Sequence, residues 1–257
     1  MTQSIHQSLV FYLHRARTCR KSLLARITPR ALHNFRISLR RLESALRLEK
    51  PLLGKARFKR GMAGIKRLQK VTGPLREDHV SSQVLKAEGL VPGKEVQVLR
   101  GLERKKEEEL QAALAARTWD RFFSEMERAF ADLEREVLRK KARRKMNQSF
   151  LKEMGRVREA LEDYHFQGPS RRALHHLRIR SKRLRYGLEQ FEFLDPPQRK
   201  KLLKASHRVH DALGRLRDLQ TAEKGIGLEE AKILSVREGD LRQDAIESIQ
   251  RLEKVMS

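Results

Sequence analysis

The chain is poor in several residue types, and each shortage excludes a class of protein. Of its 257 residues only Cys19 is a cysteine, so an internal disulfide and a cysteine-cluster zinc site are excluded. Aromatic residues make up 5% of the chain, which leaves few rings to stack against nucleic-acid bases. No window approaches about 18 uninterrupted apolar residues, so we expect no membrane-spanning helix. His6 and His14 interrupt the N-terminal apolar stretch, and we therefore expect no signal peptide and a cytoplasmic protein.

Acidic residues are also scarce relative to basic ones. The chain has 58 Lys and Arg against 33 Asp and Glu, which gives a formal net charge of +25. Such a chain repels itself, and the expected partner is a polyanion: nucleic acid, another phosphate polymer or an anionic membrane surface. Residues 169–188 hold seven Arg or Lys, two His and no Asp or Glu, so the excess charge is concentrated in particular segments.

The apolar residues recur with helical spacing almost throughout, and strand-like alternation is missing. We predict an all-α fold of about ten helices with short connections. Thr28 and Pro29 predict a capped helix start, and Thr118 is a second candidate cap. The basic run RKKARRK is predicted to lie between helices. Loops or breaks are predicted at 89–94, 139–145, 167–169, 195–197 and 224–228.

One helical segment occurs twice. ALHNFRISLRRLESAL (31–46) returns as ALHHLRIRSKRLRYGL (173–188), with eight of sixteen positions identical, where chance would give about one. VTGPLRED (71–78) matches ALGRLRDL (212–219) in the same order and at nearly the same offset. We therefore predict one domain over 1–257 that arose by internal duplication. Its halves, 1–117 and 118–257, are predicted to be helical bundles related by a pseudo-twofold axis.

Each repeated helix carries an apolar stripe with a basic stripe beside it, because a helix turns about 100° per residue. The stripes of the two copies predict a converging basic groove or channel, and cations roughly 5 Å apart along each helix suit a linear run of phosphates. The candidate binding residues are His33, Arg36, Arg40, Arg47, Lys66 and Arg76 in the first half, and Arg171, His175, Arg178, Lys182, Arg185, His207, His210 and Arg217 in the second.

The predicted core positions of these helices are apolar or small. They are Leu32, Phe35, Leu39, Leu42, Leu46, Leu68, Thr72 and Leu75, matched by Leu174, Leu177, Ser181, Leu184, Leu188, Val209, Leu213 and Leu216. A glycine stands in each polar stripe, Gly73 in the first half and Gly214 in the second. It marks either a close approach of backbone or anion, or the end of a helix.

These motifs resemble the CHAD family, the histidine-marked α-helical domain. The resemblance rests on ALHNFRISLRRLESALRL and ALHHLRIRSKRLRYGLEQFEFL, with GPLRED and GRLRDLQ downstream, and it spans roughly residues 5–250. It implies two pseudo-symmetric helical bundles around a basic groove, binding of inorganic polyphosphate, and association with polyphosphate granules. Some members carry a fused triphosphatase domain, which is not seen here, so a stand-alone protein is expected. The residues that match the family motif by position are His33, Arg36, Arg40, His175, Arg178 and Lys182.

The first copy departs from this pattern. Glu43 stands where the second copy has Arg185, and Ser44 stands where it has Tyr186. The first half is therefore predicted to bind less strongly than the second. Phosphate or sulfate ions would occupy the same groove.

Two other functions remain open at this point, nucleic-acid binding by the same stripes and an enzyme acting on polyphosphate or a triphosphate. We expect no catalysis, because phosphoryl transfer needs a metal site or an acid–base pair beside the phosphate. The only acids on the stripes are Glu77, Asp78 and Asp218, expected to cap or to pair with Arg76 and Arg217.

We also expect no metal ion and no cofactor. His207 and His210 share a helix face, but His175 and His176 point about 100° apart, and no cysteine completes a ligand set. The histidines are expected either to donate to phosphate oxygens or to hydrogen-bond at the edge of the core.

Overall fold

The computed structural model describes residues 5–90, 95–137, 140–190, 194–223 and 228–256. Within these ranges the chain forms eleven helices and no strand, as the predicted all-α class requires. The count exceeds the predicted ten because a four-residue helix follows the first repeat helix. The helices are α1 (Ile5–Ala25), α2 (Pro29–Leu48), α3 (Lys50–Leu53), α4 (Lys55–Val71), α5 (Gly73–Ala87), α6 (Glu95–Ala115), α7 (Arg117–Val137), α8 (Lys140–Gln167), α9 (Arg171–Gln190), α10 (Pro196–Ala222) and α11 (Leu228–Met256).

Both repeated helices begin with a side-chain cap. Thr28 has an extended backbone, and its Oγ1 accepts a hydrogen bond of 3.0 Å from the N–H of Ala31 at the start of α2. The Oγ of Ser170 accepts one of 3.2 Å from the N–H of Ala173 at the start of α9. Each cap satisfies one of the free N–H groups of a first helical turn. The caps fix where the two basic stripes begin.

Two local predictions are wrong. Thr118 lies inside α7, and the carbonyl of Ala116 accepts the hydrogen bond from the N–H of Trp119 at the start of that helix. Residues 140–145 of the basic run RKKARRK form the first turns of α8 and do not lie between helices. Of the predicted breaks, residues 91–94 and 224–227 lie outside the described residues, as does residue 139 of the basic run.

The chain divides into two compact units. Unit 1 comprises Met1–Val80 and Val91–Met146, and unit 2 comprises Ser81–Leu90 and Asn147–Ser257. In unit 1, α1 packs on α2, α6 and α7, and α4 packs on α2, α3 and α7. In unit 2, α10 packs on both α9 and α11. The predicted boundary of the sequence repeat, between residues 117 and 118, stays a prediction.

The predicted core stripes are confirmed. Every predicted core position on α2, α4, α5, α9 and α10 is buried, including the two polar ones, Thr72 and Ser181, at 0% exposure. In unit 1 these side chains join those of α1, α6 and α7 in one core cluster. Burying the apolar stripes fixes the rotation of each helix, and the neighbouring basic stripe is then held at the edge of the packed face.

A close helix contact positions α4 within unit 1. Gly64 on α4 lies against Phe122 on α7, and a Cβ added at Gly64 would overlap the ring of Phe122. Glycine is therefore required for the two helices to approach this closely. No helix in the described ranges is long and apolar enough to cross a lipid bilayer.

Candidate anion-binding surfaces

A cleft opens between the first half of α9 and the second half of α10, within unit 2. Its volume is about 480 Å³. Four arginines and one histidine line it beside leucines from the core and two small polar side chains. The lining residues are Arg171, Arg172, Leu174, His175, Arg178, Leu213, Leu216, Arg217, Gln220 and Thr221.

Positive charge dominates this cleft. Burial lowers the pKa of His175, and the charges of Arg178, Arg217, His176 and Lys182 lower it further. The imidazole therefore resists protonation, because cations already crowd it. An anion in the cleft would relieve this repulsion.

One acid meets the outer end of the cleft. Glu223, which follows α10, lies with its carboxylate 3.7 Å from Arg171. Arg171 is 63% exposed, so this ion pair is weak and easily exchanged for another anion. Among the described lining residues themselves, none is acidic.

A second basic patch lies further along the same two helices, and an acid occupies it. The carboxylate of Asp211 is 2.6 Å from His207 Nδ1, 3.2 Å from His210 Nδ1 and 3.9 Å from Arg185 Nη1. Arg185 also pairs with Glu189 at 3.3 Å. These predicted binding residues therefore already have carboxylate partners within unit 2.

His210 is the most strongly perturbed histidine among the described residues. Burial lowers its pKa to about 4, against the raising effect of Asp211, and the charges of Arg185 and Arg178 lower it further. Its Nε2 is buried without a hydrogen-bond partner. At neutral pH this side chain is a neutral imidazole and contributes no charge to the patch.

In unit 1 the counterparts of the cleft residues are grouped in the same way. Burial lowers the pKa of His33, and the charges of Arg76 and Arg40 add to the effect. The corresponding positions in unit 2 are His175, Arg217 and Lys182. Each motif histidine therefore lies in the field of the same two basic positions.

Arg36, a member of this group, forms hydrogen bonds to the end of the neighbouring helix α4. Its Nη1 donates to the carbonyl of Gln69 and to Thr72 Oγ1, each at 2.7 Å, at the C-terminus of α4. These bonds satisfy groups that the end of a helix leaves without partners. Burial and the charges of Arg40 and Arg76 lower the pKa of Arg36 to about 10, so it is still a cation at neutral pH.

The remaining predicted residues of unit 1 are Arg47 and Lys66. Glu43 accepts from Arg47 Nη2 at 2.7 Å and from Gln69 Nε2 at 3.0 Å, so Arg47 is neutralised within its own helix. Arg47 and Lys66 line a shallower cavity of about 320 Å³, whose floor includes Phe58 and Met62. The predicted convergence of the stripes of both halves into one groove stays a prediction.

The two stripe glycines differ in position. Gly73 is the first residue of α5, whereas Gly214 lies in the interior of α10, so a helix end does not explain Gly214. Outside the neighbouring residues and backbone of its own helix, a Cβ at either position would meet no atom of the described chain within 4 Å. Close approach of other parts of the described chain is therefore excluded, and approach of a bound anion stays a prediction.

The sequence did not identify three lining residues and two acids. Arg172 and the pair Gln220 and Thr221 lie one helical turn from His175 and Arg217, and this spacing could have identified them. Asp211 lies four residues after His207, and this spacing could have identified that pair, but its contact with Arg185 of α9 depends on helix packing. Glu223 carried no such signal, because it reaches Arg171 of α9 from the end of α10.

None of the acids on the stripes is among the described residues that line the cleft. Asp78 pairs with Lys106 of α6 at 2.5 Å. No group of three or more His, Cys, Asp or Glu side chains in the described ranges is arranged to hold a metal ion.

The fold and these surfaces define an all-α protein with a basic cleft between paired helices. The family model of the CHAD domain matches residues 9–225, which is most of the chain. The chain therefore belongs to the CHAD domain family, as its motifs indicate.

A solved structure supports the fold. The crystal structure of the CHAD domain from the plant Ricinus communis matches with a TM-score of 0.71 at 19% sequence identity. The match covers 99% of this chain and 91% of that chain. At this identity the likeness shows the fold. No curated protein matches the sequence.

Proposed function

We propose that this protein binds inorganic polyphosphate through the basic faces of its helices and catalyses no reaction on it. The observation that carries the proposal is the cleft of unit 2, lined by four arginines and His175. Guanidinium groups donate paired hydrogen bonds to phosphate oxygens, and the CHAD family is associated with polyphosphate binding in general.

The electrostatics favour a polyanion as the ligand. Burial lowers the pKa of His175 and of Arg36, and the neighbouring basic residues lower both further, so the charges repel one another. A bound polyanion would neutralise several of them at once. Binding should therefore stabilise the folded protein as well as hold the ligand.

Unit 1 would contribute a weaker surface. His33, Arg40 and Arg76 can face an anion, whereas Arg36 is bonded to the end of α4 and Arg47 to Glu43. Arg40 makes no ion pair with the acidic side chains in the described part of the chain. Unit 2 is therefore the principal site of this proposal.

The composition of the cleft favours a phosphate chain over a nucleic acid. None of its described lining residues is Phe, Tyr or Trp, the side chains on which single-stranded bases usually stack. A phosphate chain has no bases to stack and can be bound by cationic side chains alone. Catalysis is disfavoured because none of the described residues that line the cleft carries a carboxylate to serve as an acid or base.

Binding of this kind would place the protein on cytoplasmic polyphosphate granules, and this location forms part of the proposal. A fluorescent fusion should collect on the granules, and the fusion with Arg178 and Lys182 replaced by glutamine should stay diffuse.

Competition binding tests the proposal directly. Labelled long-chain polyphosphate is bound at about 150 mM salt and displaced by single-stranded RNA or duplex DNA at equal phosphate concentration. We expect the nucleic acids to compete at least about tenfold less well, which corresponds to about 1.4 kcal/mol. Phosphate release is measured in the same samples.

Each outcome decides between functions. Equal competition would show a general polyanion trap and contradict selective polyphosphate binding. Phosphate release above that of a variant with Arg178 and Lys182 replaced by glutamine would contradict the non-catalytic role. Salt dependence alone would decide nothing, because every polyanion binds less tightly at high salt.

A further inference from the structure

Asp211 interrupts the basic surface of unit 2. Its carboxylate lies within 2.6 Å of His207, 3.2 Å of His210 and 3.9 Å of Arg185. The residue at the corresponding position of the first sequence copy is Lys70. An acid thus stands where the other copy continues the positive charge.

The position of Asp211 along the helices matters. The cleft occupies Arg171 to Arg178 on α9, about 11 Å at 1.5 Å per residue. Arg185 lies seven residues beyond Arg178, about 11 Å further along α9. Asp211 contacts Arg185, so it lies just past the inner end of the cleft.

We propose, on the basis of the polyphosphate binding proposed above, that Asp211 limits the length of phosphate chain that unit 2 holds. A short chain fits the cleft and stops before Asp211. A longer chain reaches Arg185 and His207 and finds both beside a carboxylate, which repels its phosphates and competes for the same donors. Asp211 is thus a specificity-determining residue.

The contacts of Asp211 support this role. Arg185 is held at 11% exposure and His210 at 16%, so neither side chain can turn away to meet a phosphate elsewhere. Asp211 is 50% exposed and faces the solvent through which a chain would pass. After its removal, Arg185 would still be held by its ion pair with Glu189, and Arg185 and His210 by the packing of α9 on α10.

The test compares two ligands and three variants, Asp211→Asn, Asp211→Lys and a matched control. Asp211→Asn removes the charge, and Asp244→Asn is the matched control, because Asp244 is 52% exposed and pairs with Arg215 of α10 at 2.7 Å outside the cleft. Tripolyphosphate and long-chain polyphosphate are titrated at several salt concentrations. Circular dichroism checks that helicity is retained.

For Asp211→Asn we expect the affinity for long-chain polyphosphate to rise about fivefold at about 0.15 M salt, the effect of one further phosphate contact. The slope of log K against log salt concentration should steepen by about 1. The affinity for tripolyphosphate should match that of Asp244→Asn, because the centre of the cleft lies about one screening length away. Asp211→Lys should enlarge the long-chain effect.

Equal affinities of Asp211→Asn and Asp244→Asn for the long chain would overturn the inference and leave the proposed function intact. An equal gain for tripolyphosphate would also overturn it, since Asp211 would then act on the whole cleft. If the unaltered protein binds neither phosphate, the proposed function is wrong and the inference falls with it.

Discussion

The two units place equivalent arginines in different chemical situations. In unit 1, Arg36 donates to the carbonyl of Gln69 and to Thr72 Oγ1, and so closes the end of α4. In unit 2 its counterpart Arg178 lines the cleft, and Leu213 stands where unit 1 has Thr72. Leucine has no hydroxyl to accept a hydrogen bond. The hydroxyl that Arg36 meets in unit 1 therefore has no counterpart in unit 2, where Arg178 is one of the residues that line the cleft.

A second comparison concerns charge order. In α2 the acid Glu43 precedes the base Arg47, whereas in α9 the base Arg185 precedes the acid Glu189, at the corresponding positions. Both are pairs four residues apart, but their polarity is reversed. Position 43 therefore presents a carboxylate where position 185 presents a guanidinium. The prediction that the first half binds anions less strongly stays a prediction, because Arg185 is itself paired with Glu189 and Asp211.

The largest expected effect concerns His210, a titratable side chain at the position where the first copy has Gln69. The pKa of His210 falls from 6.5 to about 4 on folding, so its contribution to stability is complete above pH 6.5 and is lost as pH falls toward 4. We expect the unaltered protein to lose up to about 3 kcal/mol more than His210→Gln across this interval. Chemical denaturation at each pH measures the difference.

His176→Gln is the control, because it removes an exposed histidine from the neighbouring helix. Indistinguishable pH curves for the unaltered protein and His210→Gln would show that burial of this imidazole has no energetic consequence.

The second-largest effect is expected when cations are removed from the basic surface of unit 2. Replacing Arg178 and Lys182 by glutamine removes two cations and should weaken long-chain polyphosphate binding about 30-fold at about 0.15 M salt. Helicity should not change. Isothermal titration or fluorescence anisotropy measures the loss.

Lys200 and Lys201 provide the matched control, since both are exposed in the early turns of α10 and lie outside the cleft. A double glutamine variant there has the same change in net charge. Equal losses for the two double variants would show that net charge, and not the cleft, binds the polymer.

The smallest effect is expected in unit 1, when the carboxylate that pairs with Arg47 is removed. Glu43→Gln should release Arg47 and raise long-chain polyphosphate affinity about fivefold at about 0.15 M salt, at a cost of about 0.5 kcal/mol in stability. Glu108→Gln is the control, because Glu108 pairs with Arg104 four residues before it on the exposed face of α6. An affinity no higher than that of the control would show that Glu43 does not weaken unit 1.

Local patterns were enough to predict the helices and their buried faces. The spacing of Leu32, Phe35 and Leu39 fixed which face of α2 is buried, and all three are 0% exposed. The wrong predictions concern residues whose type suits more than one local structure. Thr118 was a suitable cap by type, and the basic run 139–145 was suitable for a loop, but residues 140–145 continue into α8.

The basic residues were also identifiable from their helical phase, because phase depends only on the number of residues between them. Their partners on other helices were not. Asp211 and Glu223 lie far from α9 in sequence, and only the packing of α10 on α9 brings their carboxylates to Arg185 and Arg171.

The sequence by itself determined an all-α chain, two copies of a basic helix, the buried stripe of each and the positions of the cations beside it. These features follow from backbone geometry that repeats every few residues. The tertiary structure decided the surroundings of each cation. Arg36 binds the end of α4, Arg185 lies beside Asp211 and Arg178 lines the cleft, because hydrogen bonds, ion pairs and cavities depend on distances between helices that packing alone sets.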